Sequence, residues 1–504
     1  MGQVFEDSTL MSRAMNAIYA SFGIAIFVSI IDLVAGLPMA WFIVRGKSRW
    51  LNVIDTLADI PFIVPTVTLG YSLLLFWNGP EGISSLFGYS LVSPGWLLVI
   101  LLHFTFSYPA VVRVMVGSLL DYEQTYEHAA RTLGAPALTA DRTVTLPILK
   151  PALIASFILA FARSLSETGA TIIVAGIVGN RAAFENGPVF ISLVGKDSAA
   201  AVFVSFILII VSCMIFALIR ILGPRFKLPI KKIWPDAERK LSGHDVTTLR
   251  NSVTLLTFLV FILVPSLFVA LPAVYALSGN MIGQALTGAG VWQGYWQSLL
   301  LSYLVGALVT VINVIVGLPM AVLIARKRMG KLPATILDIL VNVPLVVPSI
   351  ALGASLGIFW KNFTFIPEIA LIIFAHISIT YPYFVRSMAA AIERISVDLE
   401  DASRILGARP FTVFKTIILP LTKYSLFAGA IMVFTRSVDE TGATLAVVTN
   451  LRTAPVLLLG WVKPTPPAVP APASQIGLGC GILILLSFII LLALRFIIRG
   501  RERY

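Results

Sequence analysis

"YEHAARTLGA", residues 126–135, returns at 399–408 as "LEDASRILGA". The copies lie 273 residues apart and share the pattern E-x-A-[AS]-R-x-L-G-A. Each is followed at the same distance by Leu-Pro, in "LPILKP" at 146–151 and "LPLTKY" at 419–424. The alanines favour helix, and proline biases the residue before it towards extended backbone. A charged, helix-forming segment kept twice in an oily chain raises the question of what it faces.

The 504 residues are 58% hydrophobic and 12% charged, where a soluble protein carries about 25% charged residues. Apolar runs long enough for a core of about 30 Å recur throughout. Eleven spans are expected, near 17–44, 57–77, 95–118, 148–176, 198–222, 252–277, 296–325, 338–360, 366–390, 421–448 and 474–498. The chain reads as an all-α, multi-pass membrane protein. Its acidic start, "MGQVFEDSTL", has no basic region of the kind a signal peptide needs.

The net charge of +12 does not point to nucleic acid, because of where it falls. Basic residues cluster at 45–49, 220–232, 325–331 and 495–503, while 78–90 and 278–290 contain no Lys or Arg. Basic loops face the cytoplasm. That places the amino terminus outside, the carboxyl terminus inside, and both opening segments in the cytoplasm. Cys213 and Cys480 fall within apolar runs, and the four histidines show no metal-ligand spacing.

More of the chain is duplicated. "GLPMA" occurs at 36–40 and 317–321, and "DIPFIVP" at 59–65 pairs with "NVPLVVP" at 342–348. "HFTFSYPAVVRVM" at 103–115 pairs with "HISITYPYFVRSM" at 376–388, and "RSLSETGAT" at 163–171 with "RSVDETGAT" at 436–444. Six spans separate the copies, an even number, so the repeat is parallel. The expected division is 1–222, a cytoplasmic linker at 223–250, and 251–504, the last beginning with an extra span at 252–277. His103 and His376 read as packed helix residues. The repeated prolines serve either as hinges or to shape the bundle. The stretch 463–473 is a stiff outside loop of polyproline character, a spacer or a contact for a delivering protein.

Read as a helix, Glu127, Ala130 and Gly134 share a face, as do Glu400, Ser403 and Gly407. Small residues on one stripe admit close approach of another surface, and two copies imply a two-fold cytoplasmic partner. The segment resembles the "EAA" loop of ATP-binding-cassette importer permeases of the binding-protein-dependent class. The resemblance covers nearly the whole chain as two pseudo-symmetric permease halves in one polypeptide. It implies a coupling helix that docks on an ATPase. The family pattern E-A-A-x-x-x-G falls on His128, Ala129, Ala130 and Gly134, and on Asp401, Ala402, Ser403 and Gly407. Histidine stands where glutamate is usual, with Glu127 one place earlier; aspartate follows Glu400 in the second copy. Which carboxylate meets the partner stays open.

The chain has no G-x-x-x-x-G-K-[ST] loop; the one "GKS", at 46–48, has Trp41 where the first glycine belongs. ATP and Mg therefore belong to the partner, with no cofactor or metal on this chain. The resemblance implies two ATPase copies, an extracytoplasmic binding protein and the bilayer as partners, and no nucleic acid. It leaves ferric iron, thiamine, polyamine and oxyanions such as molybdate, tungstate or sulfate as substrates, with "ETGAT" resembling the oxyanion permeases. A secondary carrier with parallel repeats, driven by an ion gradient, is the competing reading.

An ionisable residue within a span costs at least about 2.5–3.5 kcal/mol and faces protein or water. Arg163/Glu167 and Arg436/Glu440 are spaced i, i+4, as ion pairs within a helix would be. Thr168 and Gly169, Thr441 and Gly442 follow, and Asp439 replaces Ser166. These residues either line the translocation pathway or serve as self-neutralising helix glue. The charge pattern makes one direct prediction. A reporter at residue 5 is accessible from outside and one at residue 500 only from the cytoplasm; two cytoplasmic ends would mean a miscounted span.

Overall fold

Backbone polar groups in lipid must be satisfied within the chain, so helices carry almost all of this fold. The computed structural model describes every residue except 1–6, 47, 49, 121, 179–180, 196–197, 223–224, 226–233, 278–280, 361, 364, 465–469 and 500–504. The linker, the proline-rich loop and three of the basic loops (45–49, 220–232 and 495–503) lie partly outside the described residues. Among those described, eight helices are long and apolar enough to cross a membrane, or eleven with three bent pairs counted as spans. These match the eleven expected runs. The strand content described is one hairpin, Ile177–Val178 with Arg181–Ala182.

Contacts divide the chain into two units that interleave along the sequence. One comprises Met1–Val64, Thr68–Leu193 and Ile207–Val269; the other comprises Pro65–Val67, Val194–Phe206 and Ala270–Tyr504. In the first, helix Ser8–Arg45 packs along Trp96–Leu120 and Lys150–Ser166. In the second, Tyr295–Arg326 packs along Glu368–Glu393 and Leu419–Val438. Each trio carries a buried polar cross-link at the same place. Asp32 accepts from the Ser107 hydroxyl, and Asn313 Nδ2 donates to Thr380 Oγ1 at 2.8 Å.

Proline does different things at different sites. Pro65 and Pro348 end helices, and the chain turns there by 106° and 107°. The residues before them are extended, Val64 with ψ 122° and Val347 with ψ 133°, as a following proline ring favours. The spans expected at 57–77 and 338–360 are therefore sharply bent. Pro38, Pro109, Pro319 and Pro382 lie inside continuous helices. Ahead of Pro147 and Pro420, matching segments Asp141–Thr145 and Phe414–Ile418 widen into π-helical turns. That relieves the clash between a proline ring and the carbonyl four residues back. Only the first copy bends further, by 72° between Ala137–Ile148 and Lys150–Ser166. It carries a second proline, Pro151, where the other copy has Tyr424.

The extra span, His244–Ala276, shows how such defects are repaired. Pro265 has no N–H for the carbonyl of Phe261, and the Thr105 hydroxyl donates to it at 2.8 Å. Ser72 Oγ donates to the carbonyl of Pro265 at 2.6 Å and accepts from the N–H of Val269 at 2.8 Å. Side chains of neighbouring helices thus satisfy freed backbone groups.

Two matched glycines let neighbouring helix backbones meet. A Cβ on Gly70 would lie 2.7 Å from Ala170 Cα, and one on Gly353 2.7 Å from Ala443 Cα. Backbone meets backbone there, so no side chain can give way. Gly70→Val and Gly353→Val are each predicted to lower stability by about 1–3 kcal/mol, the usual cost of overpacking, measured by thermal unfolding of the purified protein. Unchanged unfolding temperatures would contradict this packing.

Candidate functional site

The opening segments form the helices Thr125–Thr132 and Val397–Ile405. Each ends in the same hydrogen-bonded stop. Gly134 N–H bonds the Arg131 carbonyl at 3.0 Å, and Ala135 N–H that of Ala130 at 3.2 Å. Gly407 bonds Arg404 at 2.9 Å and Ala408 bonds Ser403 at 3.0 Å. This double bond to the last turn requires a left-handed residue, and Gly134 and Gly407 have φ +92° and +88°. Both glycines therefore lie past the helix and do not extend the small-residue stripe expected from their spacing. They stop the helix, which is why the motif ends in Gly-Ala.

The glutamates face inward. Glu127 is buried and paired with Arg45 at 2.7 Å. Glu400 is 1% exposed and paired with Arg326 at 2.7 Å and Arg404 at 3.2 Å. Arg45 and Arg326 close the helices Ser8–Arg45 and Tyr295–Arg326. Each short helix is thus locked to the end of the first long helix of its packed trio. Arg326 also donates to the carbonyl of Ile395 at 3.1 Å.

What faces outward is polar and apolar together. His128, Ala129, Asp401 and Ala402 are exposed, with Ala130 and Ser403 half-buried. Leu133 and Leu406 are 89% and 87% exposed, and their matched neighbours Tyr126 and Leu399 are 56% and 51% exposed. Of the acidic candidates, Asp401 is exposed in a surface pair with Arg404, while Glu127 and Glu400 are buried and committed within their own units.

The second cluster sits where the spans 148–176 and 421–448 break. Helices Lys150–Ser166 and Leu419–Val438 end, and short helices Gly169–Val174 and Gly442–Val447 follow. Glu167 and Glu440 lie in the breaks, and each Oε1 accepts from an N–H of the short helix at 2.9 Å, Ala170 or Ala443. Arg436 closes the expected pair with Glu440 at 2.7 Å. In the first unit the Arg163 guanidinium lies over the rings of Phe62 and Phe106, at 4.3 and 4.1 Å. Its Nε donates to the Phe106 carbonyl at 3.3 Å. Thr168, Gly169, Thr441 and Gly442 are buried. Asp439 accepts from the backbone N–H of Thr66, in the stretch 65–67 assigned to the same unit.

Two residues read as mere packing hold these breaks together. His103 contacts Ser164 Oγ at 2.8 Å through Nδ1 and Thr171 Oγ1 at 3.0 Å through Nε2. His376 makes the same bridge to Ser437 at 2.8 Å and Thr444 at 2.7 Å. Each imidazole staples the end of the long helix to the short helix across the break. The signal was in the sequence: all three partners recur 273 residues apart. Arg45 and Arg326 were likewise visible, as a repeated basic end, but their partners lie 82 and 74 residues away.

Residues 32–228 and 317–503 each match the family described as "Binding-protein-dependent transport system inner membrane component". The sulfate transport system permease protein CysT of Salmonella typhimurium is 35% identical over 209 residues, 40% of this chain and 74% of that protein. The Escherichia coli K12 protein of the same name is 33% identical over 209 residues, with the same coverage. The molybdenum transport system permease protein ModB of Haemophilus influenzae is 34% identical over 162 residues, 31% of this chain and 70% of that one.

The burial contrast is testable. Glu400→Ala leaves Arg326 buried and unpaired, and the expected destabilisation is about 3–5 kcal/mol. Asp401→Ala removes an exposed pair with Arg404 (2.9 Å), worth about 0–1 kcal/mol. Denaturant unfolding of both variants checks this; equal losses would contradict the buried lock.

Proposed function

The chain belongs to the family of inner membrane components of binding-protein-dependent transport systems, and on that premise we propose that it is both permease halves of an ATP-driven oxyanion importer. An extracytoplasmic binding protein delivers the solute. Two copies of a separate ATPase subunit dock on the helices Thr125–Thr132 and Val397–Ile405, one on each. The amino terminus lies outside and the carboxyl terminus in the cytoplasm.

The observation that carries this reading is the matched pair of docking elements. Each presents an exposed leucine, Leu133 or Leu406, near an exposed alanine, Ala129 or Ala402, and each is anchored behind by a buried glutamate. Apolar groups held in water next to a polar rim mark protein contact sites. When the ATPase dimer closes, a pull on either helix passes through Arg45–Glu127 or Arg326–Glu400 into the end of a long membrane helix. A secondary carrier has no use for two such handles.

Sulfate or molybdate is the favoured substrate class, because the relatives above are named for those oxyanions. In this reading the broken segments 163–171 and 436–444 border the path. Their His103 and His376 staples tie each short helix to the long helix before it.

Uptake of radiolabelled sulfate and molybdate into proteoliposomes containing the chain, its ATPase and its binding protein tests the proposal. The expected result is uptake that needs ATP and the binding protein, and that is lost in the Leu133→Asp/Leu406→Asp double variant together with ATPase retention. Uptake driven by a proton or sodium gradient without nucleotide would overturn it.

A further inference from the structure

The polar stretch between the halves also grips the first docking element. Helix Pro235–Leu241 lies against the segment Ala137–Ala140, which follows the first docking helix. Glu238 is 3% exposed. Its carboxylate accepts from the Thr139 hydroxyl and pairs with Arg142 at 2.6 Å. It also accepts from the Trp234 N–H at 3.4 Å, capping its own helix. Ser242 Oγ accepts from the Leu138 N–H at 3.1 Å, a second anchor one turn on. The Thr139 hydroxyl, with the Trp234 N–H and Arg142, holds the Glu238 carboxyl below the usual carboxylate range. It therefore stays ionised at neutral pH, and the pair with Arg142 persists.

Among the described residues, no equivalent partner lies against the second copy at this place. Phe411 stands where Leu138 does, Thr412 for Thr139 and Lys415 for Arg142. Phe411 is 74% exposed, and Thr412 and Lys415 are exposed too, whereas Thr139 is buried and Leu138 half-buried. The duplication copied the docking helix and its π-helical exit but not the brace. Two groups buried together around one carboxylate, about 100 residues distant in sequence, also close a long loop, so the contact is held by its local energy and not by chain proximity.

We propose that Glu238 is a positioning residue: through Arg142 and Thr139 it clamps the linker helix onto the base of the first docking helix and gives that element a brace the second lacks. The inference rests on the coupling role assigned above. The two ATPase docking sites are then unequal. The first carries two anchors, its Glu127 lock and the linker brace, whereas the second carries its Glu400 lock without the brace.

The test uses the full chain in lipid nanodiscs without ATPase, with Cys213 and Cys480 replaced by alanine. A spin label is attached at His128→Cys or at Asp401→Cys. The expected spectra show a more immobilised label at 128 than at 401. Glu238→Ala should abolish the immobilised component at 128 and leave 401 unchanged, and the charge swap Glu238→Arg with Arg142→Glu should restore it. A label at 128 that Glu238→Ala does not loosen overturns the brace, as does equal loosening at both positions. Should Glu238→Ala fail to fold, Glu238→Gln, which keeps the shape and removes the charge, is read by the same criteria. No solute or nucleotide enters the measurement, so its failure is distinct from failure of the importer reading, which the uptake assay decides.

Discussion

The placement of the two short duplicated helices depends on a carboxylate buried against an arginine. Glu400 is almost fully enclosed and paired with Arg326, and Glu127 with Arg45. Two charges removed from water are tolerable only with close geometry, and losing one partner leaves the other exposed to a large desolvation cost. That asymmetry makes the contact stiff. A short helix at the surface would otherwise be free to drift, since isolated helices of this length are marginal in water. Pinned by its glutamate and stopped by a left-handed glycine, it becomes a handle fixed to a membrane helix.

The same economy governs the membrane interior. Breaks in these helices free backbone groups, and several of those groups are answered by named side chains. Thr105 takes up the carbonyl that Pro265 abandons, and Ser72 serves both sides of the same defect. Glu167 and Glu440 cap the short helices that follow the breaks. The histidine staples complete the repair on the other side. Polar residues in these spans are first of all the means by which broken helices survive in lipid. Transport can exploit that, because a break with satisfied ends is a place where the chain can move.

Much of this was legible from the residues. The span count, the parallel duplication and the permease family follow from hydropathy and from motifs that recur at fixed distances. The positions of the sharp bends were signalled by "DIPFIVP" and "NVPLVVP". What the sequence hid was orientation. Glu127 and His128 are neighbours of similar polarity, yet one is buried and the other faces out, because the partner that decides it, Arg45, is remote. Gly134 was visible as a small residue, but its positive φ follows from the hydrogen bonds of Ala130 and Arg131. Treating it as part of a helical stripe extended the helix by a residue pair too many. The grip of Glu238 on Arg142 had no repeat to reveal it, since only one half carries it.

The account's central claim is that the arginine–glutamate locks transmit force from the docking helices to the membrane bundle. The most direct measurement is the ratio of ATP hydrolysed to solute moved in reconstituted complexes of the wild type and of Arg326→Met with Glu400→Met, a swap that removes both charges together. The account predicts that the complex still assembles and hydrolyses ATP while uptake per ATP falls sharply. An unchanged ratio with an intact complex would contradict it.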